Sequence, residues 1–217
     1  MIIVKHLIFN NLITINLFLI LLGCNQVQSD LQNLKSKSND STKTINEIIN
    51  KDSLLISFSK NILQDLKEKN IEKLINNVHN SLGLRFSPYI NVDTINGQKI
   101  IKENISELYK SNKIITWGIF DGSGEPINKT FKEYINKFVY DKDFLNAEQF
   151  SVNKFISNSN SSNNVQNIFP NCDFVEFHFN GFDKQFDGID WESLILVFKT
   201  ENNKPFLVAI IHSQWTI

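Results

Sequence analysis

Arginine is almost missing from this sequence, with Arg85 the only one among 22 Lys and Arg residues. Those 22 face 23 Asp and Glu, which leaves a formal net charge of −1. Nucleic-acid binders gather positive charge into a patch or stripe, so this near-neutral balance argues against nucleic acid as a partner. Cysteine is scarce as well, with only Cys24 and Cys172. Long apolar runs are also missing. The best of them, Leu12 to Leu22, is broken by Thr14 and Asn16 and falls short of the roughly 20 residues a membrane-spanning helix needs. Methionine occurs once against 18 Phe, which points to a core of aromatic and aliphatic packing.

Reaction motifs are equally thin. The stretch "WGIFDGSGEPI" (117–127) crowds two glycines, an Asp, a Ser and a Glu into one loop. It lacks the G-x-x-x-x-G-K-[ST] spacing of a phosphate loop, and its glycines leave too few oxygen ligands for a calcium loop. Ser123 stands in D-G-S-G, not in the G-x-S-x-G of a nucleophile elbow. The reading is a turn, with glycines at positive-φ positions and Asp121 initiating it. His79, His178 and His212 are too far apart in sequence for a compact metal motif. No metal and no cofactor is implied.

What the sequence does hold begins at its N-terminus. Lys5, the apolar run and then "LLGC" form an ordered series, with Leu21 at −3, Gly23 at −1 and Cys24 following. This series resembles a signal peptide ending in the lipobox of bacterial lipoproteins. The resemblance implies that 1–23 is removed and that the Cys24 thiol carries a diacylglycerol, with fatty acyl groups such as palmitate. It further implies a chain held to a membrane of the bacterial cell envelope, facing the periplasm or the exterior. Cys172 would then have no partner for an intramolecular disulfide and reads as a small buried thiol. Residues 24–52 balance their charges and contain no aromatic residue, a composition that suits a flexible tether.

The body, 53–217, alternates helix and strand signals. Ser53 reads as a helix cap, with Leu55, Phe58, Ile62 and Leu66 at helical spacing. Asn70 restarts the pattern with Ile71, Leu74, Ile75 and Val78. Phe86 to Val92 reads as extended, "QKIIKENISELYK" as helical, "KIITWGIF" as a strand, and "TFKEYINKFVYD" as a helix capped by Thr130. A β-rich third follows, in which "CDFVEFHFN" sets Phe174, Glu176 and His178 on one face and Val175, Phe177 and Phe179 on the other. Asn202-Asn203 suits a hairpin turn between two strands that are apolar on both faces. Such strands need cover on both sides of the sheet, so a long loop or a second copy of the chain must supply what helices do not. "SNSNSSNNVQN" predicts a polar, flexible loop, and the many Asn residues read as solvated filler.

This order is an α+β domain with N-terminal helices on a curved, mainly antiparallel sheet. It is similar to the cone-shaped nuclear-transport-factor-like (SnoaL-like) fold, and "DLKEKNIEKLINNVHNSLGLRF" resembles that family's opening helix pair. The phrases "GLRFSPY", "WGIFDGSGEPI", "TFKEYINKFVYDKDF", "DWESLILVF" and "LVAIIHSQWTI" together resemble a group of secreted or lipid-anchored bacterial proteins. That resemblance implies fold and location and brings no reaction with it.

The candidate site residues follow from chemistry. Arg85 offers planar bidentate donors that Lys cannot imitate, so it is a candidate anchor for an anion; the structural expectation pairs it with Asp121 or Glu176. Asp121 and Trp117 are further candidate ligand contacts, and Trp117, Trp191 and Trp215 read first as core. Glu176 and His178, two apart on one strand face, are a candidate acid–base pair. His212, expected on a face with Phe206, Val208 and Ile210, is a candidate pocket-wall group. Asp190 and Glu192 read as residues at the start of a strand. The expected function is a lipid-anchored binding or interaction domain for a small molecule or a protein. The alternative is a pocket-type enzyme, an isomerase, dehydratase or hydrolase. Pairing through the C-terminal sheet would make a homodimer.

Overall fold

Leu55, Ile62, Leu63 and Leu66 stand seven, one and three residues apart, spacings that gather them on one apolar face of the first helix, and all four are buried. In the computed structural model, which describes residues 47–216, this helix (α1) runs from 47 to 67. Ser53 is therefore an interior residue and not the cap expected of it. The compact body begins at Asp52. The expected signal peptide, Cys24 and residues 25–46 of the expected tether lie outside the described residues. Among the described residues no helix is long and apolar enough to cross a membrane.

Asn70 caps α2 (Ile71–Asn76), its side chain accepting from the Lys73 amide as expected of an N-cap. Gly83, at φ +67°, then turns the chain where an added Cβ would lie 2.5 Å from the Ile100 carbonyl oxygen. Strand β1 (Leu84–Ser87) follows and ends earlier than expected, because Pro88 removes the next ladder donor. Next come β2 (Lys99–Ile100), α3 (Ile105–Lys110), β3 (Ile115–Ile119) and β4 (Pro126–Lys129). Helix α4 (Phe131–Phe138) starts in a full capping box between Thr130 and Glu133. Strand β5 (Gln149–Val152), the short helix α5 (Val165–Ile168), β6 (Asp173–Phe179), β7 (Glu192–Glu201) and β8 (Lys204–Gln214) complete the body.

Six strands form one sheet in the order β2-β1-β8-β7-β6-β5, and β3 and β4 form a separate hairpin. All neighbours in the large sheet are antiparallel except β1 and β8, which run parallel. The fold is thus α+β on a mainly antiparallel sheet. Asn202 and Asn203 both adopt positive φ in the β7–β8 turn, the backbone a two-residue hairpin requires.

One face of the sheet packs under helices. Phe86 sits at the centre, its ring edge-on to Trp117, Phe131 and Tyr134, contacts worth roughly 0.5–1.5 kcal/mol each beyond area burial. The other face buries Phe174, Ile195, Val197, Val208, Ala209 and Ile211 beneath Ile90, Val92 and Val165. Its cover therefore comes from the chain itself, through the segments after β1 and before β6, and the apolar sheet does not call for a second copy. An irregularity between Val197 and Phe198 pairs Phe198 with Leu207 but Val197 with Ala209, so Val208 is an extra residue in β8. It turns toward the loop-covered face, while Leu207 and Ile210 pack on the helix side. The single strand face expected for Phe206, Val208, Ile210 and His212 is broken at that point.

Candidate functional site

Because Leu84 and Phe86 point under the helices, Arg85 between them points to the loop-covered face. Its direct cross-strand partner is Lys99, so two cations stand side by side at the sheet edge. They line a groove of about 580 Å³ together with Lys199, Cys172, Phe169 and Val208. Among the described residues that line it, three are cations and none is a carboxylate, so its lining favours an anion, with Asp93 as the nearby opposing charge on Arg85. Arg85 Nη1 donates to the Asp93 carbonyl at 3.3 Å, a small share of the five N–H donors a guanidinium carries. Burial lowers the Arg85 pKa and the Asp93 charge opposes that shift; a guanidinium nonetheless stays protonated. The Cys172 thiol is half-buried, and burial raises its pKa, so it remains a protonated thiol.

Neither partner expected for Arg85 meets it. Asp121 Oδ2 accepts instead from Thr216 Oγ1 at 2.6 Å and Ser161 Oγ at 3.0 Å. Those bonds, with the Thr216 contribution largest, hold the Asp121 carboxyl below its ordinary value. The surrounding segment is a turn. Gly122 and Gly124 have φ of +84° and +69°, and the Gly122 amide donates to Asp121 Oδ1. Asp121 and Trp117 both border a second cavity of about 610 Å³ that Arg85 does not reach. Trp117 has no exposed surface, stacks on Tyr134 at 4.2 Å and donates from its indole to the Lys129 carbonyl. The described contacts of Trp117 are those of a core residue.

Glu176 and His178 share the loop-covered face, as their spacing predicts, but both are occupied. The wholly buried Glu176 accepts the amides of Ile156 at 2.6 Å and Ser157 at 3.0 Å. It thereby pins the incoming loop. His178 Nδ1 bonds the Ser193 hydroxyl at 2.7 Å, and its ring lies 5.8 Å from that of Trp191. Burial lowers the His178 pKa despite the opposing charges of Glu176 and Glu148. His79 is also committed, its Nδ1 accepting the Ser81 and Leu82 amides at the start of the turn into β1. Asp190 organises a loop by accepting from Phe182 and Asp183.

His212 is placed differently. On β8 it faces the helix side with Ile210 and its cross-strand partner Leu194. Its Nε2 lies 3.8 Å from Asp141 Oδ1, just beyond α4, and 3.7 Å from Glu192 Oε2 at the start of β7. Both separations exceed hydrogen-bond length. Glu192 Oε1 also meets Lys142 Nζ at 3.3 Å. Burial first, and Glu192 next to it, push the Asp141 pKa up to about 6 against the pull of His212. Burial would raise Glu192 too, but His212, Asp141 and Lys142 draw it down to about 2. Of the two acids, Asp141 therefore holds its proton more tightly.

The chain matches no family model, no curated protein and no solved structure.

Two of these clusters could not be assembled from the sequence. Lys99 looks like an ordinary solvated lysine until β-pairing sets it beside Arg85, and Lys199 until the sheet brings it to the same groove. Asp141 carries no signal at all, since it follows a helix whose end sets its direction. For Glu192 the only signal is that it begins a strand next to the one bearing His212.

Proposed function

We propose that this protein is a lipid-anchored, extracytoplasmic binding domain for a small anion with an apolar body, such as a carboxylate or phosphate ester. The observation that carries this reading is Arg85 directly opposite Lys99 in a groove with Lys199 and no lining carboxylate. Like charges directly across a strand pair destabilise a sheet, and an anion bridging them would relieve that cost. Phe169, Ile168 and Val208 on the walls would take the apolar part. The lipobox resemblance supports an anchor at Cys24, and the helix pair with a C-terminal meander supports a nuclear-transport-factor-like (SnoaL-like) frame. A crystal structure whose sheet does not wrap the helix pair would remove that last element.

An anilinonaphthalene sulfonate, an anionic amphipathic probe, should bind the full chain, and dodecanoate should displace it. The cationic dodecyltrimethylammonium should not. Arg85→Gln and Lys99→Gln should each weaken probe binding about ten-fold, the equivalent of about 1.4 kcal/mol. Equal displacement by the cation, or unchanged binding in both variants, would sink the reading. Mass spectrometry of the mature N-terminus should find a diacylated Cys24; an unmodified chain starting elsewhere would refute the anchor. A second reading, an enzyme of the isomerase, dehydratase or hydrolase type, draws on His212 beside Asp141 and Glu192. Absence of turnover by the full chain across ester, keto and hydroxy-acid substrates would count against it.

A further inference from the structure

We infer that Asp141, Glu192 and His212 form a binding site for a divalent first-row transition ion of the zinc type. This site is separate from the Arg85 groove and stands whether or not the groove binds an anion. Asp141 Oδ1, Glu192 Oε2 and His212 Nε2 all lie within 4.8 Å of one another. Each of the three atoms is buried and has no partner at hydrogen-bond geometry among the described residues. For His212 this is the decisive point, because its side chain is only 1% exposed and its unpartnered nitrogen is aimed at both carboxylates.

A simple ion pair does not account for the spacing. Charge-assisted N–H···O contacts close to about 2.7–2.9 Å, whereas these stand at 3.7 and 3.8 Å. Two ligand atoms bound at about 2.1 Å to a tetrahedral ion lie about 3.4 Å apart, close to what is found. The second ring nitrogen supports the same conclusion. His212 Nδ1 faces the Pro88 carbonyl at 3.4 Å, and a carbonyl can only accept. That contact puts a proton on Nδ1, the nitrogen that a ligating histidine turns to a backbone carbonyl, and leaves Nε2 as the atom that faces the carboxylates. The outer contacts are present too, since Lys142 holds the other Glu192 oxygen and Phe138 packs edge-on against the imidazole.

The donor set selects the class of ion. One imidazole and two carboxylates suit zinc or a neighbouring first-row ion better than calcium or magnesium, which prefer oxygen ligands only. The carboxylates keep 15% and 14% side-chain exposure above the buried ring. An ion held there by three protein ligands would keep a fourth position for water or a ligand.

The test is calorimetric titration of the chelator-treated full chain with Zn²⁺ alone, with Ca²⁺ as the comparison. One Zn²⁺ per chain should bind, with a rise in melting temperature. Asp141→Asn and His212→Gln should each weaken binding at least ten-fold. If His212→Gln does not fold, Asp141→Asn still decides, because its amide keeps the volume of the carboxyl. Nitrogen NMR of the unmutated chain should report Nδ1–H before Zn²⁺ is added and a shift of Nε2 after. Absence of zinc binding would overturn the site. So would full-strength binding in Asp141→Asn, calcium binding as tight as zinc, or a doubly protonated His212 ring that Zn²⁺ leaves unchanged.

Discussion

His178 illustrates how burial changes the meaning of one residue. Its alternation with Glu176 was legible in "CDFVEFHFN", but the loop that closes over both side chains was not, because nothing in the strand encodes its cover. In the native state burial holds the ring below its ordinary pKa of 6.5, whereas the unfolded ring protonates at about that value. The unfolded chain then binds more protons as pH falls, so this contribution to stability is complete above pH 6.5 and is lost progressively below it. Denaturant unfolding at pH 7.5 and 5.5 should show the loss, and His178→Gln should make the difference between the two pH values smaller. A native His178 ring that titrates by NMR at or above 6.5 would contradict the argument. Arg85 is the opposite case: its rarity made it visible in the sequence, yet its neighbours Lys99 and Lys199 come from strand register.

At the scale of elements, amphipathic helices are read well and polar loops poorly. The faces of α1, α2 and α4 follow from apolar spacing, and both Asn70 and Thr130 cap as expected. The serine- and asparagine-rich loop reads as flexible filler, but its side chains do the bonding of a strand. Asn164 accepts the Val92 amide at 2.7 Å and donates back to the Val92 carbonyl at 3.1 Å. Asn160 donates to the Thr216 carbonyl, and Glu176 takes two amides of the same loop. Composition could not reveal this, because a side-chain amide can satisfy a distant backbone as readily as water. Asn164→Ala should leave two polar groups of the buried Val92 unpaired and cost about 1–3 kcal/mol. Hydrogen exchange at the Val92 amide should quicken in that variant, and Asn164→Asp, which keeps the acceptor, should lose less. Unchanged exchange in Asn164→Ala would show that the loop is held by its apolar residues alone.

For the whole molecule, the need for cover on both faces of the C-terminal strands was readable from their composition. Which object supplied it was not. The chain uses its own two loops, and the same closure makes a wall of the Arg85 groove through Phe169 and Cys172. Ligand access at the groove and stability of the second core are therefore linked, since loosening the cover would expose both. The His212 cluster lies on the other face, under α4, so changes at one site should leave the other intact.

The parallel pairing of β1 with β8 also determines when this domain can exist during synthesis. Strand β8 comes last in sequence among the described strands yet occupies an inner position of the sheet, between β1 and β7. Arg85 must find Ala209, more than a hundred residues later, and contacts so distant in sequence form late and slowly. A nascent chain cannot complete the sheet until β8 has been made and is free to pair, so the body remains open to chaperones and proteases until then. A chain stopped at Glu201 should have no stable fold and should aggregate through the bared edges of β1 and β7, readable as insoluble product and loss of protection from protease. Were such a chain soluble and protease-resistant, the sheet would not depend on its final strand.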